Sequence, residues 1–304
     1  MRHWTPRGLG TLIVVFGLVG LFGGAGTNGS EVARPGTVRV GLVGTLFQDT
    51  PAGLIEPMMR PFKSLMESQT GVTGQMIVAQ DADELCKQFE EERIHFGVFH
   101  GFEFAWARQK LPKLKPLVIA INQYRHLKAY LVVHRDSEVG SLADLHGKVV
   151  ALPKFSRGHC RLFLERRCQE CGESPAEFFA ELARPQDAEA ALDQVADGTI
   201  QAAVVDQLAL DSYQRMKPGW FPYLKVVQES EPFPATVVGY QDGTLDEAIL
   251  RRFRDGLIRA NQTRTGKQVL GMCRITAFER VPDDYEKMLA EILKSYPPPD
   301  APAK

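Results

Sequence analysis

Apolar positions along the chain follow two alternating rhythms. Short runs of branched and small apolar residues recur at 38–43, 75–78, 95–99, 117–121, 130–133, 149–152 and 201–205. Runs of this length predict strands buried on both faces. The segments between them switch to helical spacing. Ile55, Met59, Phe62, Leu65 and Met66 form one stripe across 54–67, with Pro57 and Pro61 interrupting its first half. Leu85 and Phe89 share a face across 81–92, and 101–110 follows as the next helix. Helices are also predicted at 141–145 and 159–169. Ala188, Ala191, Leu192 and Val195 mark another across 187–196, which Gly198 stops. Amphipathic segments at 245–260 and 283–294 close the pattern, and Pro297-Pro298-Pro299 ends the last. Such strand–helix alternation predicts α/β layers built on mostly parallel sheets. A second unit begins near Ala129. Extended segments at 223–227 and 235–239 flank a return through Pro232-Phe233-Pro234.

Composition narrows the class. The 304 residues include 36 Lys and Arg against 37 Asp and Glu, a formal charge of −1. Bulk charge therefore leaves no footprint for nucleic acid. The first residues differ from the rest: Arg2 and Arg7 precede an uncharged run at 9–22, and Gly23-Gly24-Ala25-Gly26 follows. That order predicts a secretory signal over 1–25 and a polar linker over 26–37, hence a periplasmic or otherwise extracytoplasmic location. Retention of the run as a membrane anchor is the alternative. Cys86, Cys160, Cys168, Cys171 and Cys273 are odd in number, so at least one is unpaired in a monomer. Cys168 and Cys171 make a single C-x-x-C. It reads as a weak redox or metal half-site, or as a local disulfide or buried thiols.

Ligands of open α/β sheets gather beyond the carboxyl ends of strands, beside helix N-termini. Four such places carry donors or rings. The first loop brings Thr45, Phe47 and Gln48, and the second His100 and Phe102. The third is Ser156-Arg157-Gly158-His159, and the fourth ends at Asp206. The third is richest: a hydroxyl, a guanidinium, an imidazole and the free N–H groups of a helix start suit an oxyanion. Arg157 offers a bidentate, charge-assisted pair to phosphate or carboxylate. His159 donates more strongly when charged, below a pKa of about 6.5. Each has a plainer reading. Ser156 caps the helix, Arg157 faces solvent and His159 is an ordinary first-turn residue. Asp206 either accepts from a ligand ammonium, a protonated phosphate oxygen or Arg157, or caps the helix opening at Gln207. Thr45 and Phe47 have counterparts as a capping hydroxyl and a core ring. Tyr124, with His126 and Lys128, lies where the chain passes between units, as a hinge or cleft residue.

No phosphate-binding G-x-x-x-x-G-K-[ST] or H-E-x-x-H is present. Ser156 and His159 belong to no recognisable triad. No enzymatic activity, metal or cofactor is expected.

Several stretches resemble one family, the substrate-binding proteins of phosphate, phosphite and phosphonate ABC transporters. Val38-Arg39-Val40-Gly41-Leu42-Val43 resembles its opening strand, and Gly97-Val98-Phe99-His100-Gly101-Phe102-Glu103-Phe104-Ala105 its glycine-aromatic strand-to-helix turn. Val133-His134-Arg135-Asp136-Ser137, followed by Ser141-Leu142-Ala143-Asp144-Leu145-His146-Gly147-Lys148, is similar to the start of its second lobe. Asp197-Gly198 and Gln201-Ala202-Ala203-Val204-Val205-Asp206 resemble the segment ending in a ligand-side Asp, and Pro232-Phe233-Pro234 the return crossing. The resemblance covers about 38–294. It implies the two-lobed type 2 periplasmic binding protein fold with two crossovers: lobe 1 from 38–127 and 231–296, and lobe 2 from 128–230. The Pro-rich 297–304 is expected to be a disordered tail.

It further implies a monomer that captures a small anionic ligand, phosphate, phosphonate or a related anion, and delivers it to an ABC permease with a cytoplasmic ATPase. The family's Ser-Thr-Ser-Gly turn corresponds either to Ser156-Arg157-Gly158-His159 or to Phe155-Ser156-Arg157-Gly158. Its ligand-contacting Tyr corresponds to Leu127. Both departures point to an anion held partly by charge. Alternatives are a ligand-sensing input protein for a membrane receptor, and a redox protein using Cys168 and Cys171.

Overall fold

The computed structural model describes residues 37–48 and 50–299. The predicted signal at 1–25, the linker up to residue 36 and the tail from residue 300 lie outside them. The chain opens with β1 (Val38–Val43), α1 (Ala52–Thr70), β2 (Gly74–Ala79), α2 (Ala82–Glu90), β3 (Phe96–Phe99), α3 (Gly101–Lys110) and β4 (Leu114–Ile121). A short strand, β5 (His126–Leu127), leads to β6 (Ala129–His134) and β7 (Val149–Ala151). Next come α4 (Gly158–Glu170), α5 (Pro175–Phe178), β8 (Glu181–Ala183), α6 (Ala188–Ala196), β9 (Ala202–Asp206), α7 (Gln207–Met216) and β10 (Leu224–Glu229). The chain returns through β11 (Phe233–Pro234) to β12 (Thr236–Gln241), α8 (Glu247–Arg259), α9 (Arg264–Met272), β13 (Ala277–Arg280) and α10 (Tyr285–Ser295).

Two sheets result. The first has the order β13-β4-β12-β3-β1-β2, the second β10-β6-β9-β7-β8, and β5 pairs with β11 in a separate ribbon. The expectation of mostly parallel sheets is corrected here. β1 is parallel to β2 and β3, but β12 is antiparallel to β3 and β4, and β13 to β4. In the second sheet β6 is antiparallel to β9 and β10, while β7 is parallel to β8 and β9. The physical reason is the double crossing. β4 leaves the first sheet where β12 enters it, and β6 enters the second where β10 leaves it. Strands that carry the chain out and back side by side must run in opposite senses.

Helices cover both faces of each sheet. On the first, Leu85, Phe99, Phe104, Phe233 and Tyr285 are buried on one side. Leu42, Met59, Phe62, Phe253 and Leu257 are buried on the other, where Phe96 and Phe253 stack with centroids 4.2 Å apart. This burial explains why α1 runs unbroken through Pro57 and Pro61. Met59, Phe62, Leu65 and Met66 face inward, each worth about 1.5–3 kcal/mol, against about 3 kcal/mol per interior proline. Gly71, at φ +65°, then ends the helix. No described helix is long and apolar enough to cross a membrane.

Candidate functional site

The 153–157 turn hands β7 to α4. The Ser156 hydroxyl donates to the Pro153 carbonyl at 2.8 Å, and the Cys160 N–H closes the first helical turn on the Arg157 carbonyl at 2.9 Å. Arg157, rather than Ser156, therefore occupies the N-cap position, without a side-chain cap. Phe155 holds the turn at φ +59°, a left-handed conformation uncommon outside glycine.

Arg157 reaches across to the end of β9. Its Nε lies 3.1 Å from Asp206 Oδ2, with the two side chains 22% and 17% exposed. The other Asp206 oxygen accepts from the Ala209 N–H at 2.7 Å and caps α7. Asp206 thus orients Arg157 and caps a helix at once. Nε is engaged in this ion pair, which leaves the two Nη groups of the guanidinium to meet a ligand.

The two faces of the turn differ. On one, Gly158 packs against the first-sheet side: a Cβ there would stand 3.2 Å from His100 Nε2 and 3.4 Å from Phe102 Cζ. His100 and Phe102 stack on each other, with centroids 5.3 Å apart. Thr45 donates to Glu103 at 2.7 Å, and the other Glu103 oxygen accepts from the His100 N–H at 3.3 Å. Glu103 is buried, which pushes its carboxyl up despite the neighbouring His100 and those hydrogen bonds. Phe47 packs, partly buried, on the core that holds Met59 and Phe62. Gln48 accepts from Arg161 Nε at 3.2 Å, joining the first loop to α4. Tyr124 donates to Asp211 of α7.

His159 lies beneath this face, 2% exposed, its ring 5.5 Å from that of Phe233. Burial, opposed by Asp206 and reinforced by Arg157, drives its pKa down to about 4. The ring is neutral at pH 7. His100 Nε2 and His159 Nε2 are both buried without a hydrogen-bond partner.

The other face is open. A cavity of about 500 Å³ is lined by the 153–157 turn, the start of α6 and one side of α7. A second, of about 360 Å³, shares Arg157, Asp206, Ala209, Ser212 and Arg274 with it and extends toward Asn122 and Thr276. Of the residues expected from sequence, the cavities gather Ser156, Arg157 and Asp206. Gly158, His100 and Phe102 pack together instead, and Thr45, Phe47, Tyr124 and His159 make the contacts already described.

Arg274 is the residue that sequence reasoning missed. It follows α9 at φ +53°, and its N–H bonds the Gly271 carbonyl at 2.9 Å while that of Ile275 bonds Leu270 at 2.9 Å. Glycine or asparagine usually fills such a helix-ending position. An arginine there is the signal that could have found it. Its Nη1 donates to the Phe155 carbonyl at 3.2 Å, bridging the segment after α9 to the 153–157 turn.

All five cysteines are unpaired. Burial first, then the nearby Cys171 and acidic groups, pushes the Cys168 thiol up to about 12, the opposite of a reactive thiolate. Among the described residues no His, Cys, Asp and Glu cluster could hold a metal ion.

Two α/β sheets joined by a two-way crossing, with donors converging on cavities at their junction, define a two-lobed type 2 binding protein. Residues 47–285 match the family model for the periplasmic substrate-binding protein of the phosphonate ABC transporter, and the chain belongs to this family. The family serves an ABC permease from an extracytoplasmic location and binds small anions. Solved structures agree in fold. A Xanthomonas citri protein bound to ATP superimposes with a TM-score of 0.59 at 18% identity, covering 86% of this chain and 96% of its own. PhnD1 from Prochlorococcus marinus in complex with methylphosphonate gives 0.56 at 17%, covering 86% and 98%. A binding component of a Pseudomonas aeruginosa ABC phosphonate transporter gives 0.55 at 15%, covering 86% and 87%. No curated protein sequence matches the chain significantly.

Proposed function

We propose that the chain is an exported, monomeric binding protein that captures a phosphonate, phosphate or related oxyanion between Arg157 and Arg274 and delivers it to an ABC permease. One observation carries this reading: two guanidinium groups from opposite sides of the junction line the same two cavities. The nearby acids have other duties. Asp206 is engaged as described, Asp187 caps α6 through the Ala190 N–H at 2.9 Å, and Glu189 pairs with Lys217 at 2.9 Å.

In this reading 38–127 with 231–296 forms one lobe and 128–230 the other. The Arg274–Phe155 and Arg161–Gln48 contacts cross between these lobes. In this reading the contacts belong to the closed form, and an anion bridging Arg157 and Arg274 shifts the population toward it. No bond is made or broken.

Calorimetry of the exported protein against phosphate, phosphite, methylphosphonate, sulfate and acetate tests the proposal. Hydrogen bonds to charged groups contribute about 1.5–3 kcal/mol each, so Arg157→Ala is expected to weaken the preferred anion by about 10–100-fold. Unchanged affinity in Arg157→Ala removes Arg157 from the site. Absence of binding across the whole panel removes the oxyanion.

A further inference from the structure

Two imidazoles meet beside Gly158, one from each side of the junction, and each buries a polar atom that nothing satisfies. His100 Nε2 and His159 Nε2 are both buried without a hydrogen-bond partner. Such groups are few in a folded protein and costly to keep. Neither residue lines a cavity, so the anion does not account for them. A chain of rings fixes where they stand. His100 stacks on Phe102 at 5.3 Å, Phe102 meets Phe233 at 6.0 Å, and Phe233 meets His159 at 5.5 Å. Gly158 allows the approach, because a Cβ there would stand only 3.2 Å from His100 Nε2.

The other ring nitrogens set the proton positions. His159 hydrogen-bonds the Lys128 backbone. Nε2 has no partner, so that bond is donated by Nδ1–H, and the neutral ring presents Nε2 as an acceptor. His100 opens α3 in a capping box with Glu103. Its Nδ1 is turned to the helix, and Nε2 is left to hold the ring proton. One side of the junction thus offers a donor and the other an acceptor. They match only while His159 is neutral. A proton on His159 Nε2 would set N–H against N–H, shut away from solvent.

We propose that His100 and His159 are positioning residues for closure, a neutral pair that holds the two lobes together until a proton on His159 breaks it and opens them. This rests on the two-lobed reading above, but not on the identity of the anion. The groups facing His159 act in both directions. Asp206, at the end of β9, favours the proton, while Arg157 from the turn and His100 from the start of α3 oppose it. The Lys128 ammonium is occupied by Glu229 at 2.9 Å. Glu103, the acid beside His100, is bonded to Thr45 and the His100 N–H. Burial outweighs Asp206 and holds His159 at about 4 in the closed form. Opening returns the ring to water and toward its ordinary 6.5. Between those values the open form takes up a proton that the closed form refuses, so acid favours opening. From pH 7.5 to pH 5 the ratio of open to closed rises about 30-fold.

Small-angle scattering of the ligand-free protein in phosphate-free buffer, at pH 7.5 and pH 5, tests this. The radius of gyration is expected to grow by on the order of 1 Å at pH 5, with the far-ultraviolet circular dichroism unchanged, as hinge opening requires and unfolding does not. His159→Gln keeps a polar side chain that does not titrate and should hold one radius at both pH values. His100→Gln supplies a donor and an acceptor, meets His159 in either state, and should also suppress the expansion. A side chain that only fills space would leave the pH response in place.

An unaltered protein with the same radius at both pH values overturns the proposal. So does an expansion that persists undiminished in whichever glutamine variants fold, or one accompanied by loss of helical signal. No ligand is present in these measurements, so they stand apart from the calorimetric panel. Anion binding without a pH-dependent radius leaves the binding reading intact and removes only the histidine pair.

Discussion

Burying His159 in its neutral form makes the stability of the protein depend on pH in a calculable way. Its pKa of about 4 in the folded state compares with a reference of 6.5. Between these values the unfolded chain holds a proton that the folded chain lacks, so stability rises with pH across that window. The contribution is complete above about pH 6.5 and is lost as pH falls toward 4. Below 4 both states are protonated and the loss levels off. At about 1.4 kcal/mol per pKa unit the full swing is about 3 kcal/mol, of which about 2 kcal/mol falls between pH 7 and pH 5.

The perturbation that isolates it is His159→Gln. Urea denaturation of both proteins, without ligand and in buffer free of phosphate, gives their unfolding free energies at each pH. The variant loses ring packing against Phe233 and starts less stable at pH 7. It carries no titrating group at this place, so the gap between the two proteins should narrow by about 2 kcal/mol by pH 5. The titratable and charged groups facing the ring are Asp206, Arg157 and His100, and all three are retained in the variant. A gap that stays constant within about 0.5 kcal/mol from pH 7 to pH 5 refutes the reasoning.

Other perturbations test the packing that shapes the junction. A Cβ on Gly101 would stand 2.3 Å from the Pro234 carbonyl oxygen. Gly101→Ala should therefore lower stability by about 1–3 kcal/mol in thermal melts, and an unchanged midpoint would show that the crossing yields freely. Thr45→Val removes a donor to the buried Glu103 carboxyl. The expected cost of about 1–2 kcal/mol should be seen in denaturation, and its appearance in anion affinity instead would place Thr45 in the binding site. Glu231 accepts from both Arg167 and Tyr296. Burial pushes its carboxyl up, but these bonds outweigh burial and hold it below the usual range. Its contribution is present above the usual carboxylate pKa and fades as pH falls through the lowered value, so Glu231→Gln should flatten the acid limb of the stability curve. An acid limb as steep as that of the unaltered protein would count against the contribution.

The sequence was most legible where one physical signal acted alone. Asp81 and Asp187 accept hydrogen bonds at the starts of α2 and α6, where short polar side chains precede apolar stripes. β4 begins three residues earlier than its apolar run because Lys115 and Pro116 mask a strand whose partners, β12 and β13, are remote. β8 and β13 went unseen for a related reason: neither Glu181–Ala183 nor Ala277–Arg280 carries enough apolar residues to announce a strand. Of the site, the 153–157 turn was legible because its donors are contiguous. Arg274 was not, because it meets Phe155 across 119 residues of chain and no local pattern records that meeting. The mixed sheets escaped for the same reason, since alternation along a chain does not record the sense in which distant strands meet.

The position of β12 has a consequence for the order of assembly. Every strand of the second sheet lies within residues 129–229, so its pairings close over moderate lengths of chain. The first sheet cannot do the same. Its middle strand, β12, arrives only after the whole second sheet and must insert between β3 and β4, made long before. Until then one edge of β3 offers unpaired N–H and C=O groups of the kind that recruit wrong partners. Loop closure over such a separation slows folding more than it weakens the finished structure. The half of the protein synthesised first is therefore expected to be the half completed last.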